Sequence, residues 1–334
     1  MKRIAILGGG AYGTALATLC VSNGYTVFLW CYEKEVAHCI NTYRVNQRYL
    51  PGIALDERIQ ASPDMHAVLT SGSMLVIEAV PVVYLRSIVE QAQQSFHRDQ
   101  VWVITSKGIE YDTQLLPTEI IDSVFSYKPK KAVLSGPSFA YSLAQQELTA
   151  FTIAASDCVL GSQVQRCFAS GYCRPYLSLD MIGAQIGGAL KNVITLGIGM
   201  IDGAGLTDNA KAFIFTRGLH EMVEIAKRRG AQEKTLYGLS GVGDLVLTSM
   251  GSRSRNLEVG KRLGSGESLD SVLQQTGYIP EGINTVKTIH QMIKKEGLDL
   301  PVCQGIYDAI FSKKSLKHIL QSLMERPLEQ ECQF

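Results

Sequence analysis

The sequence predicts an α/β domain built on a doubly wound parallel or mixed sheet, followed by an all-α domain. Strand patterns alternate with helical patterns over roughly the first half of the chain, as is typical of a parallel sheet covered by helices on both faces. After Ile201 only helical periodicity continues. We therefore place the first domain at residues 1–180 and the second at residues 181–334.

The individual elements follow from hydrophobic periodicity and from turn residues. In the first domain, strand patterns cover residues 3–7, 26–32, 74–80, 101–105, 132–134, 148–155 and 173–177, and helical patterns cover 14–22, 84–94, 115–125 and 158–168. Residues 41–61 are loop-like, with Pro51-Gly52 as a turn. In the second domain, helical patterns cover residues 181–201, 209–230, 255–263, 285–297 and 301–312.

The composition excludes several classes of partner. The chain has 334 residues, 46% of them hydrophobic, and 32 basic against 31 acidic residues give a formal net charge of +1. Neither a nucleic acid nor a membrane is therefore expected as the main partner. The eight cysteines include no CxxC pair and the six histidines no HExxH motif, so we expect a reducing cytoplasm and no metal site. The N-terminus lacks the long apolar stretch of a signal peptide.

A glycine-rich motif follows the first strand and opens the first helix. The motif is GxGxxG, with its glycines at Gly8, Gly10 and Gly13. The first glycine permits a tight turn, the second lets a pyrophosphate approach the backbone, and the third lets helix and strand pack closely. The helix N-terminus adds N–H donors for the same anion. This setting predicts a Rossmann-like dinucleotide site.

Glu33 ends the second strand, 20 residues beyond Gly13. An acid at this spacing commonly accepts hydrogen bonds from the adenosine ribose, which favours NAD. Lys34, Arg44 and Arg48 lie close in sequence and are alternatives for meeting the 2′-phosphate of NADP. A third interpretation is that Glu33 is a solvated residue at the start of a helix. The sequence leaves the choice between NAD and NADP open.

Ligands of open α/β sheets bind outside the carboxyl ends of the strands. Val80-Pro81, Ser106-Lys107-Gly108 and the segment 135–140, SGPSFA, stand at three such ends. Lys107 is expected to point its amine into a cleft, with a solvent-facing lysine as the alternative. Ser138 either contacts a ligand or caps the following helix.

The apolar run Met181–Ile201 carries a single charge, at Lys191, followed by Asn192. At 3.6 residues per turn, Gly183, Gly187 and Lys191 share one face, so a stripe of bare backbone leads to the amine. Glycine within a helix is unfavourable, so close packing or a ligand must offset its cost. A buried lysine holds its proton less tightly, which suits proton transfer. The alternative is a lysine that extends from a core helix to solvent.

Serines and arginines precede a later helix in the segment Gly251–Asn256, GSRSRN. Arginine offers a planar fork of donors that matches phosphate oxygens, and a helix N-terminus adds backbone N–H groups. The segment therefore indicates a phosphate site, with a solvated basic loop as the alternative.

Together these residues resemble the bacterial NAD(P)-dependent glycerol-3-phosphate dehydrogenases, from Ile4 to about Lys313. The matching motifs occur in the order and spacing of that family: GGGAYGTALA (8–17), SKGIE (106–110), SGPSFA (135–140), GGALKNV (187–193), GVGDLVLT (241–248) and SRSRN (252–256). The resemblance implies reversible hydride transfer between NAD(P)H and dihydroxyacetone phosphate, giving sn-glycerol 3-phosphate for phospholipid synthesis. It also implies a homodimer.

The resemblance assigns roles position by position. It makes Lys191 the proton donor and acceptor, with a catalytic group around it of Lys107, Asn192, Asp244 and Thr248. Implied substrate contacts are Lys107, Gly136, Ser138, Lys191, Asp244, Ser254, Arg255 and Asn256. Implied cofactor contacts, together with the glycine motif and Glu33, are Ala11, Tyr12, Tyr32, Lys107, Ala140, Arg255, Ile279 and Glu281.

Several positions depart from the pattern of the family. Ala11 stands where serine is common, Val82 replaces a serine, Pro280 replaces a small aliphatic residue, and Glu78 puts an acid into a strand that is usually apolar there. These departures bear on cofactor affinity and preference. The alternatives to this function are a dehydrogenase of another hydroxy acid or sugar phosphate on the same fold, and a dinucleotide-binding sensor without catalysis.

Overall fold

The computed structural model describes residues 2–328, and within them an α/β region contains one eight-stranded sheet. The order of the strands across the sheet is β3-β2-β1-β4-β5-β6-β7-β8. The strands are β1 (Arg3–Leu7), β2 (Thr26–Trp30), β3 (Ile59–Ser62), β4 (Leu75–Glu78), β5 (Val101–Ile104), β6 (Lys130–Ser135), β7 (Thr149–Ala155) and β8 (Cys173–Ser178). The predicted fold class, a doubly wound mixed sheet before an all-α region, is confirmed.

The sheet is parallel except at one place. β6 and β7 pair antiparallel, whereas the other neighbouring strands pair parallel. The connection from β6 to β7 contains only a five-residue helix, and a parallel crossover usually needs a longer one. The order in which strands are added to the sheet changes direction at β1: β2 and β3 lie on one side of it, and β4 and the later strands lie on the other. This reversal is where open α/β sheets bind dinucleotides.

Apolar side chains from both faces of the sheet form two cores. One contains Ile4, Ile6 and Phe151, and the other contains Leu7, Trp102 and Ile104. Helices cover both faces, because strands buried on two sides need an apolar layer on each. These helices are α1 (Ala11–Ser22), α2 (Lys34–Tyr43), α3 (Met65–Leu69), α4 (Val82–Ala92), α5 (Pro117–Val124), α6 (Ala140–Ala144) and α7 (Cys158–Phe168).

The prediction of a loop over residues 41–61 is wrong at both ends. α2 continues to Tyr43, and residues Ile59–Ser62 form the edge strand β3. Only Ile59 and Ala61 of this strand are buried, so its hydrophobic pattern is too short to be recognised. The turn at Gly52 is present, with φ of 77°.

The remaining helices are α8 (Met181–Gly203), α9 (Asp208–Arg228), α10 (Glu233–Leu236), α11 (Asp244–Met250), α12 (Arg255–Gly264), α13 (Leu269–Thr276), α14 (Glu281–Glu296), α15 (Pro301–Phe311) and α16 (Leu316–Met324). A π-helical turn, Leu239–Gly243, leads directly into α11. The sequence patterns located α8, α9, α12, α14 and α15 but missed the others. Three of those missed have eight residues or fewer, which gives little periodicity to detect.

The chain divides into two compact units. Unit 1 consists of the chain up to Leu190 together with Met222–Leu247, and unit 2 consists of Lys191–Glu221 together with the chain from Thr248 onward. α8 therefore contributes its first ten residues to unit 1 and the rest to unit 2. In the described part of the chain, α8 is the one helix whose length and composition would allow it to cross a membrane, but 89% of its most apolar stretch is buried inside the protein.

Glycines bring α8 and α12 into backbone contact within unit 2. A Cβ atom on Gly199 would lie 2.5 Å from the carbonyl oxygen of Leu257 and 3.0 Å from the Cα atom of Gly260. Gly203 and Gly264 make still closer backbone approaches, to the carbonyl oxygens of Lys261 and Met200 respectively. Only glycine allows such an approach, so this helix pair has no room for side chains at its crossing.

In the same unit, a buried carboxylate on α9 accepts hydrogen bonds from the first turn of α15. Glu221 on α9 accepts hydrogen bonds from the backbone N–H groups of Val302 (2.5 Å) and Cys303 (2.8 Å). These are free donors at a helix N-terminus, which a carboxylate satisfies well. Burial raises the pKa of Glu221 to about 7.

We expect Gly199→Ala to destabilise the protein by roughly 1–3 kcal/mol, because the added methyl group overpacks the contact between α8 and α12. Gly171→Ala is the matched control, since a Cβ atom there meets nothing within 4 Å. Urea denaturation of both variants provides the comparison. Equal stability of the two variants would contradict the close contact.

Candidate active site

The glycine-rich loop between β1 and α1 has the shape that a dinucleotide needs. Gly8 has φ of +124°, and a Cβ atom on it would lie 2.5 Å from the carbonyl oxygen of Ala79. Gly13 lies against the backbone of Gly8 with no room for a Cβ atom, whereas Gly10 faces open space. No side chain caps α1 at Gly10, and its first turn holds no acidic residue. The loop therefore fits a bound pyrophosphate, which would lie over Gly10 at the positive end of the helix.

Asn46 holds this loop and was missed by the sequence analysis. Its buried side-chain amide donates to the carbonyl oxygen of Gly9 (2.8 Å) and to the hydroxyl of Thr14 (2.8 Å). Its own Oδ1 accepts from the backbone N–H of Tyr49 (3.2 Å). Asn46 lies in an irregular segment that matches no motif, so no local signal identified it.

Glu33 stands at the N-cap position of α2 but makes no capping hydrogen bond through its side chain. Its Oε1 accepts from the Tyr49 hydroxyl at 2.5 Å and lies 3.6 Å from Nη1 of Arg48. The guanidinium of Arg48 lies over the Tyr49 ring. Tyr32 beside it is 81% exposed. Glu33, which was predicted to bind the ribose, thus contacts the Tyr49 hydroxyl and lies close to the Arg48 guanidinium.

Lys107 and Asp244 form an ion pair in unit 1. Lys107 Nζ lies 2.6 Å from Oδ2 of Asp244 and donates to the carbonyl oxygen of Gly136 at 3.2 Å. The side chain of Asp244 is 2% exposed and that of Lys107 is 19% exposed. Lys107 therefore faces inward, as predicted, and the interpretation as a solvent-facing lysine is wrong.

The glycines at the start of α8 are closely packed against neighbouring residues of unit 1. A Cβ atom on Gly188 would lie 2.9 Å from Oγ of Ser135 and 3.3 Å from Cγ of Lys107. Gly187 lies directly against the backbone of Ser240 and Gly241. Of the two explanations offered for these glycines, close packing accounts for them, and the bare helix lets the Lys107 side chain lie along it.

Ser138 does not cap α6, so that interpretation is wrong. α6 begins at Ala140 behind Phe139 and has no side-chain cap. The Ser138 hydroxyl instead donates to the carbonyl oxygen of Gly136 (3.2 Å) and shares a hydrogen bond with the Tyr12 hydroxyl (2.8 Å). Burial raises the pKa of Tyr12. This bond links the glycine-rich loop to the segment that follows β6.

Lys191 is buried in unit 2. It is 6% exposed, and its Nζ donates to the hydroxyl of Thr248 at 2.7 Å. Thr248 is 3% exposed and stands four residues after Asp244, one turn along α11. The alternative of a lysine that extends to solvent is wrong. A buried amine beside a hydroxyl is a suitable proton donor for an oxygen that gains negative charge.

Asn192 and Asn256 are joined in a buried chain of amides. The side-chain amide of Asn256 donates to Oδ1 of Asn192 at 2.9 Å, and its Oδ1 accepts from the backbone N–H of Gly282 at 3.0 Å. These bonds tie α8, α12 and the start of α14 together. Asn192, predicted to belong to the catalytic group, and Asn256, predicted to contact substrate, therefore position one another.

The start of α12 combines a buried N-cap with an exposed arginine in its first turn. Ser254 is buried and accepts from the backbone N–H of Leu257 at 3.2 Å, which makes it the N-cap of α12. Arg255 is exposed, and its guanidinium lies 5.3 Å from the centre of the Tyr278 ring. Ile279 is 58% exposed, and Glu281 begins α14. Arg255 thus presents its fork of donors next to a helix N-terminus.

Glu78 at the end of β4 is fully buried. It accepts from the backbone N–H of Val80 at 2.7 Å and from the hydroxyl of Ser106 at 2.9 Å. Burial raises its pKa to about 7, and these hydrogen bonds limit the rise. The sequence marked Glu78 as unusual but gave no indication of Ser106 as its partner.

Family models match nearly the whole chain. The model for the N-terminus of NAD-dependent glycerol-3-phosphate dehydrogenase matches residues 3–160, and the model for the C-terminus of the same enzyme matches residues 180–321. The chain belongs to the NAD-dependent glycerol-3-phosphate dehydrogenase family. The resemblance found in the sequence motifs is confirmed.

Individual members of the glycerol-3-phosphate dehydrogenase family are similar over their full length. The chain is 41% identical to glycerol-3-phosphate dehydrogenase [NAD(P)+] of Myxococcus xanthus, with 98% of each chain covered. It is 37% identical to the enzyme of that name from Solidesulfovibrio magneticus, covering 98% of this chain and all of the other. The crystal structure of glycerol-3-phosphate dehydrogenase from Coxiella burnetii superposes with a TM-score of 0.92 at 30% identity, covering 97% of this chain and 99% of that one.

We expect the stability of the wild type relative to Glu78→Leu to fall as pH rises. The pKa of Glu78 is about 7 in the folded protein against 4.5 ordinarily, so between these values the folded state binds the proton more tightly than the unfolded chain. Its contribution is therefore lost as pH rises through this window. Between about pH 5 and pH 7.5, urea denaturation should show a relative loss on the order of 2 kcal/mol. A difference between the two proteins that does not vary with pH would contradict the raised pKa.

Proposed function

We propose that this protein catalyses reversible hydride transfer between NAD(P)H and dihydroxyacetone phosphate, giving sn-glycerol 3-phosphate. The observation that carries the proposal is the buried Lys191 amine, 2.7 Å from the Thr248 hydroxyl, in a chain of this family. A buried amine contributes little to the stability of a fold. It has a clear chemical purpose, because reduction of a ketone needs a proton donor at its oxygen.

The cofactor is held by the glycine-rich loop. Gly10 gives the pyrophosphate a side-chain-free surface at the N-terminus of α1, where backbone N–H groups meet it, while Gly8 and Gly13 allow the tight packing of the loop. Ala11, Tyr12, Tyr32, Ala140, Ile279 and Glu281 are the further proposed contacts. When bound, the nicotinamide supplies or accepts the hydride at the substrate carbon.

The preference between NAD and NADP depends on the surroundings of Glu33. The Tyr49 hydroxyl already bonds to its carboxylate at 2.5 Å, and Arg48 lies 3.6 Å from the same oxygen. Ribose hydroxyls would donate to Glu33, whereas a 2′-phosphate would be repelled by it and attracted by Arg48. We propose that the protein accepts both cofactors, with NADH preferred because the acid is in place.

Lys191 transfers the proton. In the direction of reduction its ammonium gives a proton to the carbonyl oxygen as the carbon gains the hydride, and in the reverse direction the neutral amine accepts the proton from the hydroxyl. Thr248 orients the amine through its hydroxyl, and Asn192 is the next residue on the same helix. Because the amine is buried, it is already desolvated before substrate binds.

The ion pair of Lys107 and Asp244 is also proposed to take part in the reaction. The Lys107 ammonium, held by Asp244 and by the carbonyl oxygen of Gly136, stabilises negative charge on the substrate oxygen. Asp244 in turn holds the Lys107 amine in place. Gly136 and Ser138 are proposed to contact the substrate beside it.

The phosphate group of the substrate is assigned to the start of α12. Arg255 offers its guanidinium there, supported by its contact with the Tyr278 ring. Ser254 and Asn256 flank it, and Ser254 holds the helix end in place as its N-cap. Arg255 is also proposed to reach the cofactor.

The cellular setting of the enzyme is part of the proposal. We propose that it acts in the cytoplasm as a homodimer, in the direction of reduction, and supplies the glycerol phosphate backbone of phospholipids. Residues 1–180 are assigned to the cofactor and residues 181–334 to substrate and catalysis. The substrate is a small molecule.

Loss of absorbance at the reduced nicotinamide band tests the proposal. With dihydroxyacetone phosphate the purified protein should oxidise NADH, and NADPH more slowly. With dihydroxyacetone, which lacks the phosphate, kcat/KM should fall by about 100-fold or more, because Arg255 would lose its charged partner. No oxidation of either cofactor, or equal rates with the two ketones, would contradict the proposed substrate.

A further inference from the structure

Glu78 is the buried acid that the proposed reaction does not use. It ends a strand whose other residues, Leu75–Ile77, are apolar and buried. A carboxylate in such surroundings loses its hydration, and an apolar side chain of similar volume is often at least as stable. The position therefore carries an acid for a reason other than the stability of the fold.

The contacts of Glu78 join two loops at the carboxyl edge of the sheet. Its Oε1 accepts from the backbone N–H of Val80, in the loop after β4, at 2.7 Å. Its Oε2 accepts from the Ser106 hydroxyl, in the loop after β5, at 2.9 Å. Its backbone carbonyl oxygen also accepts from the N–H (3.1 Å) and the hydroxyl (2.8 Å) of Thr105. One residue thus fixes the start of both loops.

Each of these loops leads to the machinery already described. Ala79, before Val80, lies against Gly8 so closely that a Cβ atom on Gly8 would be 2.5 Å from its carbonyl oxygen. Ser106 is followed directly by Lys107, whose amine reaches Asp244 at 2.6 Å. Thr105 bonds to the backbone carbonyl oxygen of Glu78, whereas the Ser106 hydroxyl bonds to its carboxylate. Holding Ser106 therefore sets the point from which the Lys107 side chain extends.

We propose that Glu78 is a positioning residue for Lys107, acting through Ser106. This inference rests on the proposed function, since Lys107 must act in that reaction for its position to matter. An apolar residue at position 78 accepts from neither Val80 nor Ser106, and the backbone before Lys107 is then free to shift. A displacement of about 1 Å at a reacting group lowers turnover by up to about 100-fold.

Kinetics and thermal stability of two variants test the proposal. Glu78→Leu and Ser106→Ala should each lower kcat with dihydroxyacetone phosphate roughly 10- to 100-fold, while the Tm of Glu78→Leu at neutral pH equals or exceeds that of the wild type. Glu78→Gln keeps an oxygen acceptor and should restore kcat to within about threefold of the wild type.

Gln100→Leu is the matched control at the opposite end of β5. Gln100 is also buried, and its side-chain amide donates to the carbonyl oxygens of Leu69 (3.0 Å) and Ser73 (2.9 Å). Its replacement leaves those acceptors unpaired, so Tm should fall while kcat stays within about twofold. The control therefore distinguishes a fall in kcat caused by lower stability from one caused by displacement of Lys107.

A double-mutant cycle decides whether Glu78 acts through Lys107. In a Lys107→Ala or a Ser106→Ala background, Glu78→Leu should lower kcat much less than it does in the wild type, because the link through Ser106 is already broken and only the contact with Val80 is still lost. The same fold loss in every background, or a Glu78→Leu variant with wild-type kcat, would overturn the inference while the wild type remains active. An inactive wild type would instead overturn the proposed function, and the inference with it.

Discussion

The close approach of backbone along α8 is the constraint on which the rest of the structure depends. In unit 1 its glycines lie against Ser135, Ser240 and the Lys107 side chain, and in unit 2 Gly199 and Gly203 lie against α12. Lys191 stands on this helix between the two sets of glycines. Lys191 is itself buried, at 6% exposure. The cost of glycine in a helix is offset by this packing.

Each buried charged group described around the site has a partner that suits a chemical role. Lys107 has Asp244, Lys191 has Thr248, and Glu78 has Ser106 and a backbone N–H group. Replacing a buried ionisable group and its partner by apolar side chains of similar volume is often neutral or stabilising. Such groups are expected where orientation of a reacting group matters more than stability.

The sequence was sufficient for the parts of the fold that depend on local patterns. β1 and the glycine motif were located correctly because a buried strand, a tight turn and a helix follow one another without interruption. β3 was missed because it has four residues and two buried side chains. Asn46 and the pairing of Glu78 with Ser106 were missed for another reason: each depends on a contact between residues about 30 positions apart, for which a single sequence has no periodic signal. The motifs predicted that Lys107, Asp244, Lys191 and Thr248 belong to the catalytic group. They did not predict that Lys107 would contact Asp244 and Lys191 would contact Thr248.

Turnover of Lys191→Met tests the central claim most directly. Methionine is close to lysine in length and keeps the apolar contacts but has no proton to give. The account predicts that kcat with dihydroxyacetone phosphate falls by a factor of roughly 1,000 or more, while NADH still binds with the affinity of the wild type. Lys211→Met is the matched control, because Lys211 forms ion pairs with Asp202 and Asp208 and should leave kcat unchanged. A Lys191→Met variant with the turnover of the wild type would contradict the account.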